Sequence, residues 1–197
     1  MLYFNRAQTN SPSDYLINAG TITGKPGNLR LEDLKLNYIS GYGGYLLYGN
    51  KRGGSLTIKG CTFYNKAWGD STGFARYVDA IKIQGSDIDI TTGYSYTTEL
   101  FSGCGDVTVS SKSKIQWKSI GSESTGGYPF DYGIGGTLTV DDSEIITDFD
   151  PSADTRNYTI NDYETSKAKQ VILQNGAKYT ADSRLWFTKV QVLSDAV

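Results

Sequence analysis

The chain contains no histidine. That removes Ser-His and Cys-His nucleophilic catalysis in their usual form, together with the common His-containing zinc sites. Cysteine is nearly as scarce: Cys61 and Cys104 are too few for a four-Cys metal site and allow at most one disulfide. Cys61 fills an apolar slot of a repeat, whereas Cys104 lies in the "SGCGD" turn, so the preferred reading is two reduced thiols packed as small hydrophobes. Proline (four) and methionine (one) are rare beside 23 glycines and 15 tyrosines, a balance that favours strands and tight turns over helices. Charge of one sign is missing as well. With 19 Lys and Arg scattered singly or in pairs against 21 Asp and Glu, no basic stripe exists to neutralise a phosphate backbone, and nucleic acid is not expected as a partner. No apolar run approaches the ~20 residues that span a bilayer, so membrane insertion is not expected either. "MLYFNRAQTN" lacks the charged start and apolar core of a signal peptide, and the expectation is a single domain, 1–197, cut from a longer exported protein.

What is present is a repeat. "SLTIKGCTFYN" places Leu56 and Ile58 before a Lys59-Gly60 break and Cys61 and Phe63 after it, so the period of two slips by one residue. A flat strand that slipped would turn its second half to solvent, whereas a strand that bends at Gly60 keeps both halves facing one interior. The pattern recurs in "LRLEDLKL", "IKIQGSDIDI", "VTVSSKSKIQW", "LTVDDSEII" and "VILQNGAKY", starting at residues 29, 56, 81, 107, 138 and 171, with a degenerate copy at Val190. Spacing of this regularity signals coils of a solenoid rather than unrelated hairpins. A third strand per coil is expected in "YLINAG", "YLLYGN", "LFSGCG" and "PFDYGIGG". The predicted fold is all-β: a right-handed parallel β-helix of about seven coils of roughly 25 residues, with a β-sandwich as the alternative.

The succession "GNLRLEDLKLNYISGYGGYLLYGN", "GGSLTIKGCTFYN", "DAIKIQGSDIDI" and "GGTLTVDDSEIIT" resembles the pectate lyase-like adhesive domains on surface proteins of lactobacilli and related Gram-positive bacteria. A bacteriophage tailspike coil domain is the nearest other resemblance. The first resemblance implies an extracellular, wall-anchored, non-enzymatic adhesin module that binds carbohydrate of host mucin, epithelium or plant polymers, working as a monomer. The alternative is a polysaccharide lyase or tailspike depolymerase domain. In β-helix pectate lyases, which this fold resembles, Asp side chains hold calcium and an Arg removes the proton. Candidates here are Arg76, Asp79, Lys82, Asp87 and Asp89, although the alternation of their segments reads them as outward, solvated positions and no catalytic set is assigned.

Aromatic residues carry the binding expectation. They cluster once per coil in the loop after the second strand: Tyr42, Tyr45 and Tyr48; Trp68, Phe74 and Tyr77; Tyr94 and Tyr96; Tyr128, Phe130 and Tyr132. Equivalent loops of a solenoid stack on one side, and a ring face suits the C–H patch of a pyranose while nearby carboxylates bond its hydroxyls. The expected ligand set is Tyr42, Tyr45, Trp68, Tyr94, Tyr96, Glu99, Tyr128, Asp131 and Tyr132, whereas Phe63, Tyr64 and Trp117 are expected in the core. No cofactor is expected; Asp148, Asp150 and Asp154 in "TDFDPSADT" form a weak calcium candidate, better read as an acidic solvated loop.

Overall fold

In the computed structural model the described residues are 2–5, 15–18, 28–40, 45–48, 54–68, 72–93, 98–119, 135–149, 170–181, 190–193, 195 and 196. Alternating apolar residues and glycine-rich turns make all the regular structure among them strand. β1 (Leu2–Asn5) and β2 (Tyr15–Asn18) come first. β3 (Asn28–Glu32), β4 (Lys35–Ser40) and β5 (Tyr45–Tyr48) follow, then β6 (Ser55–Lys59), β7 (Thr62–Trp68) and β8 (Thr72–Arg76). β9 (Ala80–Gln84), β10 (Asp87–Gly93) and β11 (Thr98–Ser102) precede β12 (Asp106–Ser110) and β13 (Lys114–Ser119). The last are β14 (Thr137–Asp141), β15 (Glu144–Phe149), β16 (Gln170–Gln174), β17 (Lys178–Ala181) and β18 (Val190–Val192).

These strands form three sheets. Sheet I is ordered β1-β4-β7-β10-β13-β15-β17, sheet II β2-β5-β8-β11, and sheet III β3-β6-β9-β12-β14-β16-β18. From β2 to β13 the chain visits sheets II, III and I in strict rotation, and the described pairings are all parallel. An antiparallel sandwich is thereby excluded for these residues. The seven repeat starts are the seven strands of sheet III, with Leu29, Leu56, Ile81, Val107, Leu138, Val171 and Val190 in one register column. The next inward column, Leu31, Ile58, Ile83, Val109, Val140 and Leu173, is at most 9% exposed. Each such side chain contributes about 1.5–3 kcal/mol of transfer free energy, so stacked columns favour one register over any slip.

The slip at Gly60 is a corner between sheets III and I. Gly60 has φ of 60°, Gly85 54°, Asn175 55° and Gly176 75°, and Asp33, Ser111, Lys112 and Asp142 occupy the same left-handed region at equivalent places. A Cβ on Gly60 would come to 2.5 Å from Asp33 Oδ1, the neighbouring corner. Just past the five bends from Gly60 onward a small residue turns inward: Cys61, Ser86, Ser113, Ser143 and Ala177 are all buried. The serines answer a specific problem. A buried backbone N–H needs an acceptor, and the N–H groups of Cys61, Ser86 and Ser113 each donate to the serine hydroxyl one repeat further on, all at 3.1 Å. The Ser86 and Ser113 hydroxyls donate in turn to the carbonyls of Gln84 and Ser110. Both cysteines are buried and neither forms a disulfide, Cys61 with its thiol against the Leu31 and Lys59 carbonyls and Cys104 with its thiol toward the Ala75 carbonyl.

Two aromatic expectations are corrected here. Phe74, grouped with the loop rings, is fully buried in β8 and meets Phe63 and Phe101 edge-on at 5.7 and 6.1 Å. Tyr64, expected in the core, is 38% exposed, because Phe63 takes the inward phase of β7 and its successor must face outward. Phe63 and Trp117 are buried as expected.

At the far end of sheet I, Tyr179 follows Ile115 and Ile145 in an inward column. Burial pushes its phenol pKa up. The unfolded phenol ionises near pH 10, so the folded state binds the proton more tightly. The stability this provides is complete below pH ~10 and is lost as pH rises above it. In urea melts from pH 9 to 11.5, Tyr179→Phe is expected to flatten the alkaline decline; an unchanged slope contradicts this assignment.

Candidate functional site

The outward face of sheet I carries two columns in register. Along its first outward column Lys35, Thr62, Asp87, Lys114, Glu144 and Lys178 stand in register, with Lys114 Nζ 3.7 Å from Glu144 Oε2. Such exposed ion pairs are worth about 0–1 kcal/mol and do not hold the sheet together. The next column reads Asn37, Tyr64, Asp89, Gln116, Ile146 and Thr180. It is the chemically richer one. Among the described rings Tyr64 is the exposed one, and its register partners, about 4.8 Å away on either side, are Asn37 and Asp89. Asp89 and Gln116 are half-buried between their flanking strands. An exposed ring with a carboxylate at the neighbouring register position can stack on a sugar while the carboxylate bonds its hydroxyls.

Several sequence-expected residues belong to described strands by backbone position. Tyr45 of β5 and Glu99 of β11 both pair with Gly73 of β8, which puts them in one row of sheet II, two strands and roughly 10 Å apart. Trp68 ends β7 opposite Gly93, directly before the segment carrying Tyr94 and Tyr96. Asp148 stands opposite Lys118 in sheet I. Tyr42, Tyr94, Tyr96, Tyr128, Asp131, Tyr132, Asp150 and Asp154 lie outside the described residues. The described part of the expected set is divided between two sheets.

By backbone position the lyase-type residues are spread over the three sheets. Arg76 closes β8 in sheet II, Lys82 is exposed on sheet III, and Asp87 and Asp89 belong to sheet I beyond the Gly85 corner. Among the described residues no group of three or more His, Cys, Asp and Glu could hold a metal ion.

A concavity lies at the corner between sheets II and III. It has a volume of about 250 Å³ and is lined by Asp79, Gly103, Cys104, Gly105, Asp106, Gly135 and Gly136. The chain crowds itself there: Gly105 N–H donates to the Val78 carbonyl at 2.9 Å and Asp106 N–H to the Asp79 carbonyl at 2.7 Å. Asp106 Oδ1 is engaged by the Thr137 N–H at 2.8 Å. These contacts join successive repeats, and the cavity reads as a product of that joint. Sequence reasoning missed both it and Tyr64. The signal for Tyr64 was available, since aligning Phe63 with Ile88 sets Tyr64 at the phase of Asp89.

No protein-family model, no curated protein and no solved structure matches this chain.

Proposed function

We propose that the chain winds as a right-handed parallel β-helix and acts as a non-enzymatic adhesive module on the surface of a Gram-positive bacterium, binding carbohydrate of host mucin, epithelium or plant polymers. The three-sheet rotation with parallel pairing supports the winding, and crossovers between parallel strands are almost always right-handed. Seven strands at about 4.8 Å would give a rod roughly 30 Å long, a scaffold on which shallow contacts add avidity.

The observation that carries the binding reading is the outward row of sheet I, where the exposed Tyr64 has Asp89 as a register neighbour with Gln116 beyond. Tyr64→Ala is expected to weaken glycan binding by about 1–2 kcal/mol, which is roughly 5- to 30-fold, with little change in melting temperature. A glycan array followed by titration calorimetry on the best ligand checks this. An unsaturated-product or reducing-end assay on the same sample tests the lyase or depolymerase alternative: product from any uronate polymer would replace the adhesin reading.

A further inference from the structure

The corner between β16 and β17 is built differently from the others. It carries Asn175 followed by Gly176, the one Asn-Gly pair in the chain, where other corners between sheets III and I use Gly60, Gly85, Ser111 with Lys112, or Asp142. Asparagine is a chemically labile side chain, and its lifetime depends on whether the next backbone nitrogen can reach its amide carbon. A glycine in that place has no Cβ to block the approach and rotates freely. Asn175 and Gly176 are both exposed, and among the described residues no backbone carbonyl accepts the Gly176 N–H, whereas the Ala177 N–H is held by the Gln174 carbonyl at 3.2 Å. The nitrogen is open to solvent.

The same amide is also a structural tie. Asn175 Nδ2 donates to Asp141 Oδ1 at 2.7 Å and Gln174 Nε2 to Asp141 Oδ2 at 3.1 Å, so both oxygens of the Asp141 carboxylate are held by amides of the following repeat. Asp142, at the place equivalent to Asn175 one repeat earlier, is exposed beside it. A carboxylate at 175 would be the third on this corner.

We propose that Asn175 is a site of spontaneous deamidation and that its products loosen the corner between β16 and β17. The Gly176 backbone nitrogen gives its proton to solvent base and bonds to the side-chain carbonyl carbon of Asn175; the bond from that carbon to Nδ2 breaks, and the nitrogen leaves as ammonia after taking a proton from solvent. Water then opens the cyclic imide at one of its two carbonyls, leaving either an aspartate or an isoaspartate whose main chain is one methylene longer. Nothing is oxidised or reduced. Both products lose the Nδ2 donor, and aspartate, ionised at neutral pH, sets a carboxylate against Asp141, so a hydrogen bond is exchanged for like-charge repulsion. The isoaspartate also lengthens the path to the buried Ala177 and to Lys178, whose N–H donates to the Ser143 carbonyl at 2.9 Å. This inference does not rest on the carbohydrate reading.

Ageing the protein tests it. The 197-residue chain is held in mildly alkaline buffer and peptide-mapped by mass spectrometry at intervals. The amide-to-acid mass change, as a mixture of aspartyl and isoaspartyl peptides, should build up at Asn175 ahead of every other asparagine, and the aged protein should melt below the fresh one. Asn175→Asp supplies one product directly and should lower the melting temperature; Asp141→Asn added to it should recover most of the loss, because an amide at 141 can donate to the carboxylate at 175. Circular dichroism confirms that each variant is folded. An Asn175 that stays intact throughout ageing, an Asn175→Asp variant that melts with the parent, or a double variant no more stable than the single one would each overturn the proposal.

Discussion

Trp117→Ala is expected to lower stability by ~3 to 5 kcal/mol, the range for truncating a large buried ring. Trp117 is fully buried in β13, with Ile90 and Thr147 as its register neighbours on either side. Those neighbours belong to strands held by their own hydrogen bonds and cannot collapse far into the space, so most of the cavity should persist. For a chain of this length the loss corresponds to a melting temperature lower by roughly 10 °C. Binding per folded molecule should not change. That contrast with Tyr64→Ala separates packing from recognition: if Trp117→Ala melts within a degree or two of the parent, the inward assignment of β13 is wrong.

Gly105→Ala is expected to cost ~3 kcal/mol, for a different reason. A Cβ there would overlap the backbone carbonyl of Asp79, an atom of the preceding repeat that is itself fixed by the Asp106 N–H. Overpacking against a flexible side chain relaxes by rotation, but overpacking against backbone must move a strand. Gly135→Ala is the control. Its Cβ would lie 3.5 Å from the Cys104 carbonyl, an ordinary contact, and its backbone angle is not in the left-handed region, so its denaturation midpoint should stay close to the parent's. Equal effects from the two substitutions would show that the corner between sheets II and III yields as a whole and that the close approach at Gly105 is not the cause.

The all-β class, the strands of sheet III and the bend at Gly60 were determined by sequence alone. Apolar pairs such as Leu56 and Ile58 alternate locally, and alternation is a property of each strand before it meets any neighbour. The interruption at Gly60 was legible for the same reason, since a phase slip with apolar residues on both sides has only the bend as a low-energy outcome. Strand β8, "TGFAR", has no such alternation, and only the pairing of Gly73 and Ala75 with β5 and β11 made it a strand. Exposure was equally a tertiary matter. Phe63 and Tyr64 are adjacent aromatic residues, and Phe74 follows a glycine as loop residues do; which ring is buried depended on the strands stacked above and below it. The same holds for Ser86, Ser113 and Ser143. Each reads as a polar turn residue in the sequence, and each became an interior acceptor because the preceding repeat left a buried N–H one level away. Local pattern sets which residues alternate, while the stacking of repeats sets which polar groups must be satisfied inside and which rings are left to face a ligand.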